Sequence, residues 1–349
     1  MKLKSLLIGS AAVMAASATS AKAADAIVMA EPEPMEYVRI CDVYGTGFFY
    51  IPGTETCMKI GGYYRFQLNF SSTALTWFAR FAPSFDVRNE TEWGTLRGFA
   101  EVEFDYGWYT AGSTTSFGTT RAAAGYAQNV NLNHAFIEII TASGTLRMGK
   151  GDSPYARFLG YGSGNVFGGV YGFANSAEIS YTFNGSNGFS AIIALLQDGD
   201  TDYVPDIEGG INFAQGWGSV GAIVGYDESA GQWGAKGVLR FNAPNGSFSG
   251  GLHVIYSSGA AAHRYSVGDP GGAAGNVAPW SILAHVKGQF TATVAGTLSA
   301  QWFSNTGGFD LVGGLDIRPI DGLRIRPEVR YMTTSGGWAG ALRFDRAIP

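Results

Sequence analysis

The chain has 349 residues, of which 51 are Gly, 14% are aromatic and only 15% are Lys, Arg, Asp or Glu. Soluble domains carry about 25% charged residues, so this chain has too few charges for a fully wet exterior. The net charge of −5 becomes −8 without the three lysines of residues 1–23, and no Lys/Arg-rich run occurs, which excludes a nucleic-acid footprint.

The basic start at Lys2 and Lys4, the apolar run LLIGSAAVMAA and the triplet Ala21-Lys22-Ala23 read as a signal peptide, residues 1–23, cleaved after Ala23. The run is shorter than the roughly 20 apolar residues of a membrane anchor, and no later segment is long enough for a membrane helix. A closed transmembrane β-barrel fits this composition, because it hides its hydrophobicity in alternation, facing lipid outside and water inside. Export places Cys41 and Cys57 in an oxidising compartment, where this even pair, 16 positions apart, reads as a disulfide. Closing that loop is worth about 3 kcal/mol. Metal binding is the weaker alternative, because no His accompanies the pair. Residues 24–59 are then an N-terminal segment with a disulfide, and residues 60–349 the barrel.

In IGGYYRFQLNF, Ile60, Tyr64, Phe66, Leu68 and Phe70 alternate with Tyr63, Arg65, Gln67 and Asn69. In LRGFAEVEFDY, Leu96, Ala100, Val102, Phe104 and Tyr106 alternate with Arg97, Glu101, Glu103 and Asp105. This period of two is the signature of half-buried strands. Weaker versions recur at residues 78–89, 177–183, 206–213, 220–227, 232–241, 247–256, 280–290, 293–302, 309–317 and 338–344. Residues 130–140, 145–150 and 189–197 complete the set. Within it, residues 130–140 (VNLNHAFIEII) break the alternation, for which a subunit interface is one reason. The count is about fifteen or sixteen, and an antiparallel barrel whose ends meet needs an even number, which selects sixteen.

The joints take turns between short Gly, Asn and Pro turns (NETEWG, NGSNG, NAPNG, RPIDG) and longer loops at residues 107–129, 151–175 and 257–278. Short turns at the periplasmic end and long loops outside are the pattern of an outer-membrane barrel. Sixteen strands enclose water, whereas about 8 would be filled by side chains.

The stretch LRIRPEVRY puts Leu323, Ile325, Pro327, Val329 and Tyr331 on one face and Arg324, Arg326, Glu328 and Arg330 on the other. An arginine facing the bilayer midplane costs about 2–4 kcal/mol, so the arginines point into the bore. There they either help conduct solute or only neutralise acids such as Glu328. Pro327 removes one ladder donor and suggests a bulge or a strand end.

The segment CDVYGTGFFYIPGTETCMKIGGYYRF, Cys41 to Phe66, resembles the N-terminal signature of the general porins of alphaproteobacterial outer membranes. The start ADAIVMAEPEPMEYVRICD and the pieces SYTFNGSNGFSAIIAL and GGWAGALRFDR are similar to the same family, so the resemblance runs from the signal peptide to the last strand. It implies an all-β, 16-stranded antiparallel transmembrane barrel, a homotrimer in the outer membrane, and passive diffusion of ions and small hydrophilic solutes, with no cofactor. It also implies that the third outer loop, residues 151–175, folds inward as a constriction. In the family that loop brings acids opposite basic wall residues. Here it departs, holding one acid, Asp152, and one base, Arg157. A second departure is the ending RFDRAIP, where the family closes on an aromatic residue.

Candidate pore and constriction residues are thus Asp152 and Arg157 on the loop, with Arg65, Arg80, Arg97, Glu101, Glu103, Arg147, Arg324, Arg326, Glu328 and Arg330 on the wall. An arginine-rich wall facing a nearly acid-free loop points to a weakly selective pore with a slight preference for anions. The loop aromatics Tyr155, Phe158, Tyr161, Phe167, Tyr171 and Phe173 carry an alternative, a sugar-type pore with a sliding surface, or they pack the loop against the wall. A plugged structural or adhesive barrel is a third reading.

Catalysis has little to rest on. GTLRMGKG nearly matches a phosphate-binding loop but has Gly151 in place of the metal-binding Ser/Thr. No G-x-S-x-G elbow occurs, and His134, His253, His263 and His285 show no metal-ligand spacing.

Overall fold

In the computed structural model, which describes residues 39–109, 123–198 and 202–348, sixteen antiparallel strands close into a barrel. The signal-peptide reading of residues 1–23 and the first part of the 24–59 segment lie outside the described residues. A two-residue strand, β1 (Phe49–Tyr50), lies beside the first barrel strand, β2 (Cys57–Ser71). The wall continues through β3 (Leu75–Thr91), β4 (Gly94–Tyr109), β5 (Gly125–Ile140), β6 (Gly144–Asp152), β7 (Asn175–Asn184) and β8 (Phe189–Leu196). It goes on through β9 (Asp206–Gln215), β10 (Gly218–Asp227), β11 (Gln232–Asn242), β12 (Phe248–Ser257) and β13 (Trp280–Gln289). It ends with β14 (Val294–Phe303), β15 (Phe309–Ile320), β16 (Leu323–Met332) and β17 (Gly337–Ile348). Each strand pairs with the next, and β17 returns to β2 with Phe344 opposite Phe66 and Arg343 opposite Gln67. No open edge is left, as a bilayer requires.

The faces follow the sequence pattern. On β4, Leu96, Phe104 and Tyr106 are exposed on the lipid side while Arg97, Glu103 and Asp105 turn inward. Large aromatics cluster at the strand ends: Trp77, Trp108, Trp233, Trp280 and Trp338 toward the outer loops, and Phe183, Phe189, Phe213 and Phe248 toward the short turns. These are the two girdles that mark the membrane–water boundaries.

Two irregularities have local causes. The break in alternation of residues 130–140 is a β-bulge: Glu101 pairs with His134 and Val102 with Leu132, so Asn133 is an extra residue on β5. The inserted residue switches parity, leaving Leu132 and Ile137 outward while Asn131 and Glu138 face the bore. A subunit interface is not needed to explain it. Pro327 neither ends nor shifts β16, which pairs through it with Leu342 on β17. The β15–β16 register skips Leu315 and Asp316, the residues opposite Pro327 and Arg326, as a missing N–H dictates, and its shift falls between Ile317 and Ile320.

The barrel begins at Cys57, three residues before the expected start at Ile60, and its first residue carries the Cys41–Cys57 disulfide, with Cα atoms 6.1 Å apart. Cys41, Cys57 and Phe48 form a small buried cluster with Tyr44 and Tyr50 packed on it. The two larger buried clusters lie inside the barrel, where outer loops pack on inward-facing strand residues.

Candidate channel and constriction

The third outer loop, residues 153–174, enters the bore directly from β6. Ser153 is extended, Pro154 occupies the first turn of a short helix, Pro154–Arg157, and the chain then runs along the inner wall. A loop inside a barrel must find partners for its backbone groups, and the wall supplies them. The buried Glu208 on β9 accepts the Tyr155 N–H at 2.6 Å, and the buried Lys236 on β11 donates to the Tyr155 and Tyr171 carbonyls. Arg240 donates to the Leu159 and Tyr161 carbonyls. Gln301 on β14 accepts from the Val170 N–H at 2.7 Å and donates to its carbonyl at 2.6 Å. At the tip, Glu328 on β16 accepts the N–H groups of Val166, at 2.7 Å, and Phe167, at 3.1 Å. The loop thus follows the wall from β7 round to β16. Among the described residues, none of its hydrogen bonds, ion pairs or ring contacts reaches β17 or β2 to β5.

Between these polar anchors, several inward positions beneath the loop are apolar. Ile192, Ile223 and Val238 on β8, β10 and β11 pack against Tyr155 and Leu159, with Phe158 beside them. Of the six loop aromatics, Tyr155 is fully buried and only Tyr161 and Phe173 are exposed. Packing against the wall is therefore what most of them do.

The uncovered wall carries the charges. Arg88, Asp86, Arg97, Glu138, Arg147, Glu178 and Arg157 form one chain of alternating sign across β3 to β7. Its links are 2.6–2.9 Å apart, except Arg147 to Glu178 at 3.9 Å. Arg157 thereby ties the base of the third loop to Glu178 at 2.6 Å. Arg80 holds Asp105 with two bonds, at 2.7 and 2.9 Å, and also pairs with Glu103. Asp345 is shared by Arg65 and Arg326, both at 2.7 Å. Arg324 pairs with Asp316 and Arg330 with Asp310, each at 2.7 Å. Several guanidiniums also lie over rings, Arg147 over Phe136 at 4.0 Å and Arg65 over Tyr63 at 4.6 Å, which fixes them further.

These partners decide where the expected site residues stand. Asp152 is buried at the end of β6, accepting from the Tyr161 hydroxyl at 2.6 Å and from Asn175 at 3.2 Å, so it does not project from the loop. Glu101 accepts from the bulge residue Asn133 at 2.8 Å. Glu328 neutralises none of the neighbouring arginines and anchors the loop tip instead. Arg343 bonds only to Gln67 and, like Arg346 near the end of β17, which donates to the Ala347 carbonyl, pairs with no carboxylate among the described residues. The pairing acids Asp86, Glu138 and Asp345 were missed from sequence. Asp86 and Asp345 share the parity of Arg88 and Arg343, which would have found them, whereas the bulge hides Glu138. His253 and His285 do face inward, with ring centroids 5.7 Å apart.

The profile of the Porin subfamily matches residues 25–343. Porin Omp2b of Brucella canis is 36% identical over 370 residues, covering 99% of this chain and 97% of that protein. Porin Omp2b of Brucella neotomae is 37% identical over 371 residues, with the same coverage. Among solved structures, the outer membrane channel DcaP of Acinetobacter baumannii superposes with a TM-score of 0.62 at 13% identity, covering 86% of this chain and 99% of that one. A mutant of Rh. blastica porin gives 0.57 at 13% identity, covering 83% and 100%. These structural likenesses carry the fold, and the sequence matches carry the kinship. The closed barrel with its charged bore agrees with that kinship, and the chain belongs to the porin subfamily as an outer-membrane channel.

Proposed function

We propose that the protein is a general porin, a homotrimer in which each subunit passes ions and small hydrophilic solutes by passive diffusion, with a slight preference for anions. The observation that carries this reading is the one-sided bore. The third loop follows β7 to β16, so the solute path runs between the loop and the wall from β17 to β6. There Arg65, Arg80, Arg97 and Arg147 are each held by acids, as are Arg324, Arg326 and Arg330 on β16 at the edge of that path. Paired charges solvate both ions, and Arg343 adds a guanidinium that bonds only to Gln67. The third loop offers no opposing acid, because Asp152 is buried, and its one base, Arg157, is paired with Glu178.

Export by the leader of residues 1–23 and a trimer that resists detergent belong to the same reading. Planar-bilayer recording across a salt gradient tests it: the expected result is a steady ohmic conductance with a small reversal potential of anion sign. A clear cation preference overturns the selectivity, and no steady conductance would indicate a plugged barrel. The sugar-type alternative rests on Tyr161 and Phe173, whose rings stand exposed 6.5 Å apart on the loop. Saturable block of the current by a sugar would favour it.

A further inference from the structure

A second outer loop also enters the barrel. Residues 258–279, the sixth outer loop, connect β12 to β13, and parts of the segment are buried: Tyr265 and Val267 near its middle are each 1% exposed, and Ala278 near its end is 0%. Tyr265 sits on two inward-facing glycines, Gly225 on β10 and Gly234 on β11, where an added methyl would collide with it. Its ring centroid lies 5.0 Å from that of Tyr155, the residue at which Glu208 and Lys236 grip the third loop. Val267 and Ala278 join Ile255 and Phe303 of the wall in a cluster against which Val170 and Tyr171, on the returning arm of the third loop, are packed. Both arms of the third loop are therefore held between the wall and the sixth loop.

The sixth loop is itself tied down at both ends. The Arg264 guanidinium donates to Asp206 at 2.7 Å, to the Gln197 carbonyl at 2.9 Å and to Ser176 at 2.5 Å, while its backbone N–H donates to Asp227 at 2.8 Å. At the other end Asp269 accepts from Thr306 at 2.7 Å and from Thr334, in the loops after β14 and β16. The segment is thus a strap stretched from β7 to the loop before β17, over the half of the bore that the third loop lines.

We propose that this strap sets the constriction, with Arg264 and Tyr265 as positioning residues that act through Tyr155 to hold the third loop at a fixed distance from the charged wall. Pore width is then a property of two loops. An isolated third loop would be free to breathe on its wall contacts, since loops with few buried contacts open locally at low cost. The inference rests on the third loop lining the narrowest point.

Single-channel recording of Tyr265→Ala, Tyr265→Phe and Arg264→Gln, each first shown to run as a folded barrel on a heat-modifiability gel, tests the proposal. Tyr265→Ala and Arg264→Gln are expected to raise open-channel current noise several-fold and to increase conductance, with Tyr265→Phe restoring wild-type behaviour because the ring remains. Wild-type traces from both noisy candidates, or Phe as noisy as Ala, overturn it. If Tyr265→Ala does not fold, a Val170→Cys/Val267→Cys pair decides. The cross-link is expected to form in the membrane and to leave the conductance at its wild-type value, whereas failure to form sinks the strap. Phe167→Gly at the tip separates this from the reading beneath it. If that change leaves conductance unaltered, the third loop is not the constriction; if it alters conductance while Tyr265→Ala does not, only the strap is wrong.

Discussion

On β17 and β2 to β6 the inward positions hold Arg343, Arg65, Arg80, Arg97, Glu138 and Arg147, while on β8 and β10 to β13 they hold Ile192, Ile223, Val238, Ile255 and Leu283. The same alternation rule built both halves, yet one half holds mainly paired charges and the other mixes aliphatic residues with polar groups that bond to a loop, such as Glu208, Lys236 and Arg240. Fully burying an aliphatic side chain is worth about 1.5–3 kcal/mol, so five such residues in one wall demand a cover. The third and sixth loops are that cover. The bare half needs none, because its guanidiniums and carboxylates satisfy one another and the water beyond. A general lesson follows for a wide barrel: the chemistry of the inner wall decides where its loops lie down, and the path for solute is whatever remains.

The comparison is broken most severely by removing Lys236. This ammonium is buried and donates to carbonyls on both arms of the third loop, Tyr155 and Tyr171, as well as standing near Glu208. Hydrogen bonds to charged groups contribute about 1.5–3 kcal/mol each. Lys236→Met should therefore lower folding stability by about 3 kcal/mol and free the loop. The checks are the urea midpoint of the detergent-solubilised protein and the single-channel conductance, which should rise. A variant with unchanged midpoint and conductance would mean that the apolar seat alone holds the loop.

How much of this difference was legible in the chain divides the same way. The bare half announced itself, since Arg97, Glu101, Glu103 and Asp105 alternate with apolar residues over a whole strand. The covered half did not, because Ile192 and Ile193 are neighbours facing opposite ways, one toward a loop and one toward lipid, and two apolar faces have no period. Strand number, the disulfide and the inward third loop were recovered from count, compartment and resemblance. The inward sixth loop was not, since Tyr265 and Val267 sit in a Gly- and Ala-rich stretch with no alternation to give them a face. Glu328 reads as a pore charge by parity, which says which way a side chain points and nothing about what it meets there, and Asp152 by its place in the third loop that the resemblance implies.

Two substitutions on the bare half sharpen the contrast with smaller effects. Glu138 joins Arg97 and Arg147 at 2.8 and 2.6 Å, so Glu138→Gln leaves two guanidiniums with one fewer shared acid. Arg97 keeps Asp86 at 2.9 Å, which limits the loss of stability to about 1–2 kcal/mol. The reversal potential should move toward anions. Arg343→Gln removes the unpaired guanidinium and should move it the opposite way at little cost in stability. Shifts of the same sign in both variants would show that selectivity is set elsewhere, on the covered half or at the mouths.

The smallest effect belongs to the end of the strap, where the two halves meet. Burial pushes the Asp269 carboxyl up, but hydrogen bonds from Thr334 and Thr306 and from the Gly271 N–H, with Arg330 nearby, hold it below the usual carboxylate range. A carboxyl whose folded value is depressed stabilises the fold above its unfolded pKa, about 3.9, and loses that contribution as pH falls through the lower folded value. Acidifying the outer compartment from pH 7 to 5 should therefore leave channel noise unchanged, and noise should rise only below about pH 4. Asp269→Asn, which keeps an acceptor but no charge, should be noisier at neutral pH and lose the acid step. A wild-type rise already at pH 6 would place the titrating group elsewhere, and would move the weak point away from the strap.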